Sequence, residues 1–140
     1  MSSHVRHAAA LYAAVALGSA MGSVLRVLAS VAIHDTAGYG FPWGTLFVNV
    51  AGSFAIGAYA ALTGPGGRFG AGPLQLQFVM TGICGGFTTF SMFSLETLRL
   101  WQNGHPAHAV VNIALSVVTW LAAVWAGHRT AVAIKRRKGT

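Results

Sequence analysis

Four long apolar stretches separated by short polar joints organise this chain, running from about 8 to 33, 43 to 62, 74 to 98 and 107 to 126. Each comes near the roughly 20 residues that a helix needs to cross the hydrocarbon of a bilayer. The joints carry residues that stop helices. His34 to Pro42 contains Gly38, Gly40 and Pro42; Gly64 to Gly70 contains Pro65 and Arg68; Gln102 to Pro106 contains Asn103-Gly104. Glycine, proline and Asn-Gly supply turn dihedrals and end helical hydrogen bonding. Residues 1–140 thus predict one all-α membrane unit of four helices, with a basic tail over 129–140. No hydrophilic block is long enough for a separate soluble domain, and no internal repeat is visible.

The third stretch departs from its own pattern. Gly82-Ile83-Cys84-Gly85-Gly86-Phe87-Thr88-Thr89-Phe90-Ser91-Met92-Phe93-Ser94 puts three glycines and a run of hydroxyls where a spanning helix should be apolar. In hydrocarbon every backbone N–H and C=O needs a partner, so a chain that breaks there must face protein, water or an ion. Transport proteins build ion sites from such breaks, because freed carbonyls become cation ligands and freed N–H groups attract anions. A glycine-rich packing face is the alternative. It leaves the Thr88-Thr89 pair and the Phe90/Phe93 spacing without a role. The third helix is therefore expected to break at its centre.

Polar residues in the other spans fall into stripes. Thr45, Asn49, Ser53 and Gly57 recur every fourth residue on one face of the second helix, and Asn112, Ser116 and Thr119 share a face of the fourth. Asn49 lies deep in its span, where an amide is costly without a partner, so it either lines a pore or bonds another helix. Gly18 and Gly22 form a small-xxx-small pair suited to close packing, with Arg26 continuing their face. Glu96 follows the phenylalanines by one turn and lines a vestibule or emerges at the interface.

Composition agrees with a membrane setting. The 140 residues are 54% hydrophobic and only 8% charged, where soluble domains carry about 25% charged residues. The formal net charge of +7 is unevenly spread. With four spans, Arg6, Arg68, Arg129, Lys135, Arg136, Arg137 and Lys138 fall on one side, and Arg99 on the other. The positive-inside rule then puts both termini in the cytoplasm. Directly after a span, Lys135-Arg136-Arg137-Lys138 reads as a topology signal that touches anionic lipid rather than nucleic acid. Arg6 and His7 before an apolar run suggest a signal peptide, but the run continues to Ile33 without a strong cleavage box. Cys84 is the only cysteine, so no disulfide forms within the chain. His105 and His108 have helical spacing but no accompanying cysteine or carboxylate, which argues against a metal site. Trp101, Trp120 and Trp125 suit interfacial anchoring.

Taken together, Gly44-Thr45-Leu46-Phe47-Val48-Asn49-Val50-Ala51-Gly52-Ser53-Phe54 and Gly85-Gly86-Phe87-Thr88-Thr89-Phe90-Ser91-Met92-Phe93-Ser94-Leu95-Glu96 resemble the CrcB/Fluc fluoride channel family. Gly22-x-x-x-Arg26, the chain length and the four spans fit as well. The resemblance implies a cell-membrane protein that assembles as an antiparallel dimer. It also implies two fluoride pathways and a structural, untransported Na+ at the dimer centre. The sodium ligands it implies are the backbone carbonyls of Gly85 and Thr88 from each subunit. The polar track of the family falls on Asn112, Ser116 and the position of Trp120. Trp120 and Asn112 depart from the hydroxyl-bearing residues usual there, leaving Thr119 as an alternative hydroxyl.

The chemistry suits fluoride, which is small and strongly hydrated. Asn49 offers amide N–H, Ser116 and Thr119 offer hydroxyls, and Asn112 and Thr45 extend the polar stripes. Phe90 and Phe93 can present the positive edge of a phenyl ring to an anion. No lysine or arginine stands beside them to trap the ion, and conduction needs sites weak enough to leave. A proton-coupled exporter of the small multidrug type is the alternative, but it needs a carboxylate in the first span, which has only Arg26. A membrane scaffold subunit would explain the small-residue packing but not the aligned donors. No nucleophile–base pair or phosphate loop suggests an enzyme. The strong charge bias fits poorly with a chain inserting both ways, so the dimer partner is either a second copy or an oppositely biased paralogue.

Overall fold

The computed structural model describes residues 3–38, 40–64 and 70–137. Arg68 and Lys138, two of the charges that set the predicted orientation, lie outside the described residues. The described chain is helical: α1 is Ser3–Ala37 and α2 is Trp43–Thr63. A third span covers Pro73–Gln102, and α6, Pro106–Arg137, closes the order. Four helices are long and apolar enough to cross a membrane.

The outer helices overshoot the apolar stretches at both ends. At about 1.5 Å per residue, the 35 residues of α1 reach ~52 Å, well beyond a hydrocarbon core of about 30 Å. The surplus of α6 carries Arg129, Lys135 and Arg136. Arg129 holds its guanidinium 5.5 Å from the centre of the Trp125 ring, so cation and indole stack at one end of the span.

The third span is assembled from pieces. A short α3, Pro73–Leu76, leads into a π-helical stretch, Gln77–Cys84, then α4, Gly85–Phe87, and α5, Phe90–Gln102. Proline at the start of α3 needs no intrahelical donor there. π-Helical geometry is rare and gathers at functional sites. Between α4 and α5, Thr88 (φ −85°, ψ 160°) and Thr89 (φ −152°, ψ 115°) adopt extended backbone. Helical geometry is left for only these two residues, and the span continues as one membrane-length element.

Close backbone approach holds the helices together. α2 packs most broadly on α6, and α1 packs on the π-helical stretch and on α2. A Cβ on Gly57 would sit 3.0 Å from the Val124 carbonyl carbon, and one on Gly127 would sit 2.9 Å from that of Phe54. Likewise a Cβ on Gly82 would meet the Cα of Gly18 at 2.8 Å, and one on Gly86 the Cα of Ser19 at 2.8 Å. Gly82 and Gly86 are thus packing glycines, opposite the small-residue face of α1. Gly85, between them, is exposed and has nothing closer to its Cβ position than 3.9 Å. Only Gly18 and Gly22 of α1 are buried, and large apolar side chains including Tyr12, Leu17, Val27 and Leu28 point outward. Such a surface is at home in lipid or against another apolar chain.

Candidate functional site

The two extended residues owe their geometry to side chains that replace helical hydrogen bonds. In a continuous helix the Thr89 N–H would donate to the Gly85 carbonyl. Here it donates to Asn49 Oδ1 at 2.7 Å, and Asn49 Nδ2 donates back to the Thr89 carbonyl at 3.0 Å. One amide from α2 thus clamps the whole Thr89 peptide, and both residues are buried. The Met92 N–H, which a continuous helix would send to the Thr88 carbonyl, donates instead to Thr89 Oγ1 at 3.2 Å, capping α5. Upstream, the Thr88 N–H and Thr88 Oγ1 each donate to the Cys84 carbonyl at 3.0 Å. Each diversion releases a carbonyl from the acceptor role that helix continuation would give it. The two carbonyls are those of Gly85 and Thr88.

Asn49 retains capacity after this clamp. Its amide nitrogen carries two hydrogens and makes one hydrogen bond among the described residues. Beside it lies a cavity of about 300 Å³, bordered by Asn49, Gly85, Thr88, Phe90 and Trp120. Phe90 is 71% exposed on this side, whereas Phe93 is buried. The two rings stand 5.5 Å apart and tilted by 50°, and Phe93 meets Trp120 at 4.9 Å and 74°, edge to face. Asn49, Phe90, Gly85 and Thr88 therefore share one cavity, with Phe93 stacked on its border.

The remaining residues of the predicted set stand elsewhere. Asn112 and Ser116 are almost fully buried in a relay between α6 and α5. Ser116 Oγ donates to Asn112 Oδ1 at 3.4 Å, Asn112 Nδ2 to Thr97 Oγ1 at 2.8 Å, and Thr97 Oγ1 to the Phe93 carbonyl at 2.7 Å. That relay ties the polar face of α6 to the backbone beneath Phe93. Thr119 turns its hydroxyl onto its own helix, donating to the Leu115 carbonyl at 2.6 Å. Thr45 donates to Glu96 Oε1 at 2.9 Å across a second cavity of about 430 Å³, which Arg26 and His34 also line. Glu96 thus faces a cavity at the head of α5.

Two residues with structural roles here, Thr89 and Thr97, stood outside the predicted pathway. Thr89 was legible in part: a threonine before the apolar run of α5 is a helix-capping signal. Thr97 carried no such mark. One turn beyond Phe93 on a helix, its position is ordinary, and only the packing of α6 gives it a partner.

A four-span helical membrane protein, interrupted within its third span beside a buried amide and paired phenylalanines, is the class that this fold and site define. Residues 13–128 match the family model described as CrcB-like protein, Camphor Resistance (CrcB), and the chain belongs to that family. It is 55% identical over 136 residues, 97% of this chain and 96% of the relative, to a fluoride-specific ion channel, FluC 1, of Rhodopseudomonas palustris (strain BisB18). Two proteins of Bradyrhizobium diazoefficiens are similar as well. They are FluC 1 (54% over 130 residues, 93% and 90% covered) and FluC 2 (47% over 115 residues, 81% and 83% covered), each described as a fluoride-specific ion channel.

Proposed function

We propose that this protein is a passive, fluoride-selective channel of the cell membrane that lets fluoride leave the cytoplasm and so limits its toxicity. The observation that carries the reading is the Asn49 clamp: an amide fixed by the Thr89 peptide, with one N–H to spare, facing the cavity that Phe90 borders. Relatives of more than 50% identity over nearly the whole chain, described as fluoride-specific ion channels, support it.

Fluoride gives up tightly held water on entering, so a pathway must return short-range positive potential along the way. Asn49 does so with its spare N–H. Phe90 and Phe93 add the positive rims of their rings, which attract an anion without the depth of a full charge. No lysine or arginine borders this cavity. Sites of that modest strength hold the ion long enough to dehydrate it and release it onward.

Assembly follows from what the single chain leaves uncovered. Gly85 and the Phe90 ring are exposed, and a polar cavity open to lipid is costly. An antiparallel dimer covers that face and brings the two third spans together. The carbonyls of Gly85 and Thr88, relieved of helical acceptor duty, are then four oxygens from two chains, a donor set suited to a hard cation such as structural Na+. A cation held there biases its surroundings toward anions. The partner is a second copy or a paralogue; a pair of such relatives in one bacterium supports the latter possibility.

Purified protein in liposomes tests the function. Fluoride should leave down its gradient once a potassium ionophore balances charge, with little chloride following. Equal release of both anions, or release that requires a proton gradient, would refute it. The proton-coupled exporter gains no support: the carboxylate inside a span is Glu96, held by Thr45, and the apolar stretch 8–33 has none.

A further inference from the structure

Trp120 stands where the polar face of α6 should continue. Asn112, Ser116 and Trp120 follow one another at intervals of four, so the indole extends their stripe by one turn. An apolar ring would end that stripe. Indole does not, because its Nε1–H is a hydrogen-bond donor and has no acceptor capacity. Trp120 Nε1 is buried and has no hydrogen-bond partner among the described residues. Leaving such a donor unmet costs about 1–3 kcal/mol, so an unpaired one at a cavity wall calls for an acceptor.

The surroundings specify what that acceptor is. Trp120 borders the same cavity as Asn49 and Phe90, and no carboxylate borders it. Phe93 braces the indole edge to face, which fixes the plane in which Nε1–H lies. Around this space stand the spare N–H of Asn49, the rim of Phe90 and the unmet N–H of Trp120. All three are positive ends of dipoles, and none is a full charge. A small anion satisfies them together.

We propose that the indole Nε1–H of Trp120 donates a hydrogen bond to the anion in transit, taking over in this chain the duty of a hydroxyl on the polar track. This rests on the channel reading above. It adds a donor that follows Ser116 along α6 and makes the pathway depend on a tryptophan.

The decisive variant replaces Trp120 with 3-benzothienylalanine, which keeps the bicyclic shape and puts sulfur in place of N–H. A hydrogen bond to a charged group is worth about 1.5–3 kcal/mol, so fluoride flux should fall about tenfold or more. Thermal stability and dimer content in detergent should match the parent, because the packing on Phe93 is retained. Trp120→Thr, which restores a hydroxyl, should conduct better than Trp120→Phe, which restores nothing. If the benzothienyl protein conducts like the parent, or if Trp120→Phe matches Trp120→Thr at equal folded content, the donor role is wrong while the channel reading stands. A parent protein that passes no fluoride would remove both.

Discussion

The α2–α6 seam and the Gly82–Phe93 segment are both rich in glycine, yet only one of them leaves helical geometry. At the seam, Gly57 and Gly127 bring two backbones into contact and both helices run on undisturbed. Gly82 and Gly86 do the same against Gly18 and Ser19 of α1. The chain turns extended only at Thr88 and Thr89, where Asn49 and the Thr89 hydroxyl supply substitutes for the hydrogen bonds a helix would make. Glycine permits close approach, whereas a side chain from a neighbouring helix is what makes an interruption affordable in a membrane.

That contrast is broken most severely at Asn49. Asn49→Leu leaves the N–H and C=O of a buried peptide without partners, at about 1–3 kcal/mol for each group. Thermal unfolding in detergent should show a large loss of stability, and fluoride flux should vanish. If stability is unchanged, the clamp does not hold the interruption. Asn49→Asp keeps an acceptor for the Thr89 N–H and should fold better than Asn49→Leu while still failing to conduct.

Next in size is the seam itself. Gly57→Ala drives a methyl group into the Val124 backbone, which overpacking precedents put at about 1–3 kcal/mol. Flux per folded dimer should remain near that of the parent, since the cavity at Asn49 does not involve this contact. A selective loss of flux at full stability would place the seam in the pathway. Phe90→Ile and Phe93→Ile offer the reverse pattern. Phe90 is largely exposed in the single chain, so its loss should cost little stability in the protomer but most of the flux. Phe93 is buried against Trp120, and its change should lower both. Flux equal to the parent in both variants would contradict the role of the ring rims.

The smallest effect is expected at Thr89. Thr89→Ala removes the cap on α5 but not the peptide that Asn49 clamps, a loss of about 1 kcal/mol. Thr89→Ser should recover most of it. Equal stability of all three proteins would show that Met92 finds another acceptor.

These differences also explain how far the sequence could be read. Four spans were plain from hydropathy because lipid demands long apolar runs. Their ends were not, because the outer turns of α1 and α6 carry charged and small residues that hydropathy assigns to loops. The period of four on α2 marked Asn49, but its partner was hidden. A glycine-rich run does not say which peptide will lose its helical bonds, and the answer came from α2, some forty residues earlier. Thr119 marks another limit. Its hydroxyl is on the polar face by sequence yet bonds its own helix, as serine and threonine do when no neighbour competes. Trp120 reads as an anchor by residue type, and only its place beside Phe93 gives its N–H a chemical meaning.

The central claim is that the interruption clamped by Asn49 is a route for one small anion. Reversal potential in a planar bilayer, with opposed fluoride and chloride gradients, tests it most directly. Current should reverse at the fluoride equilibrium potential in the parent protein and be absent in Asn49→Asp. Reversal at the chloride potential, or midway between the two, would contradict the account.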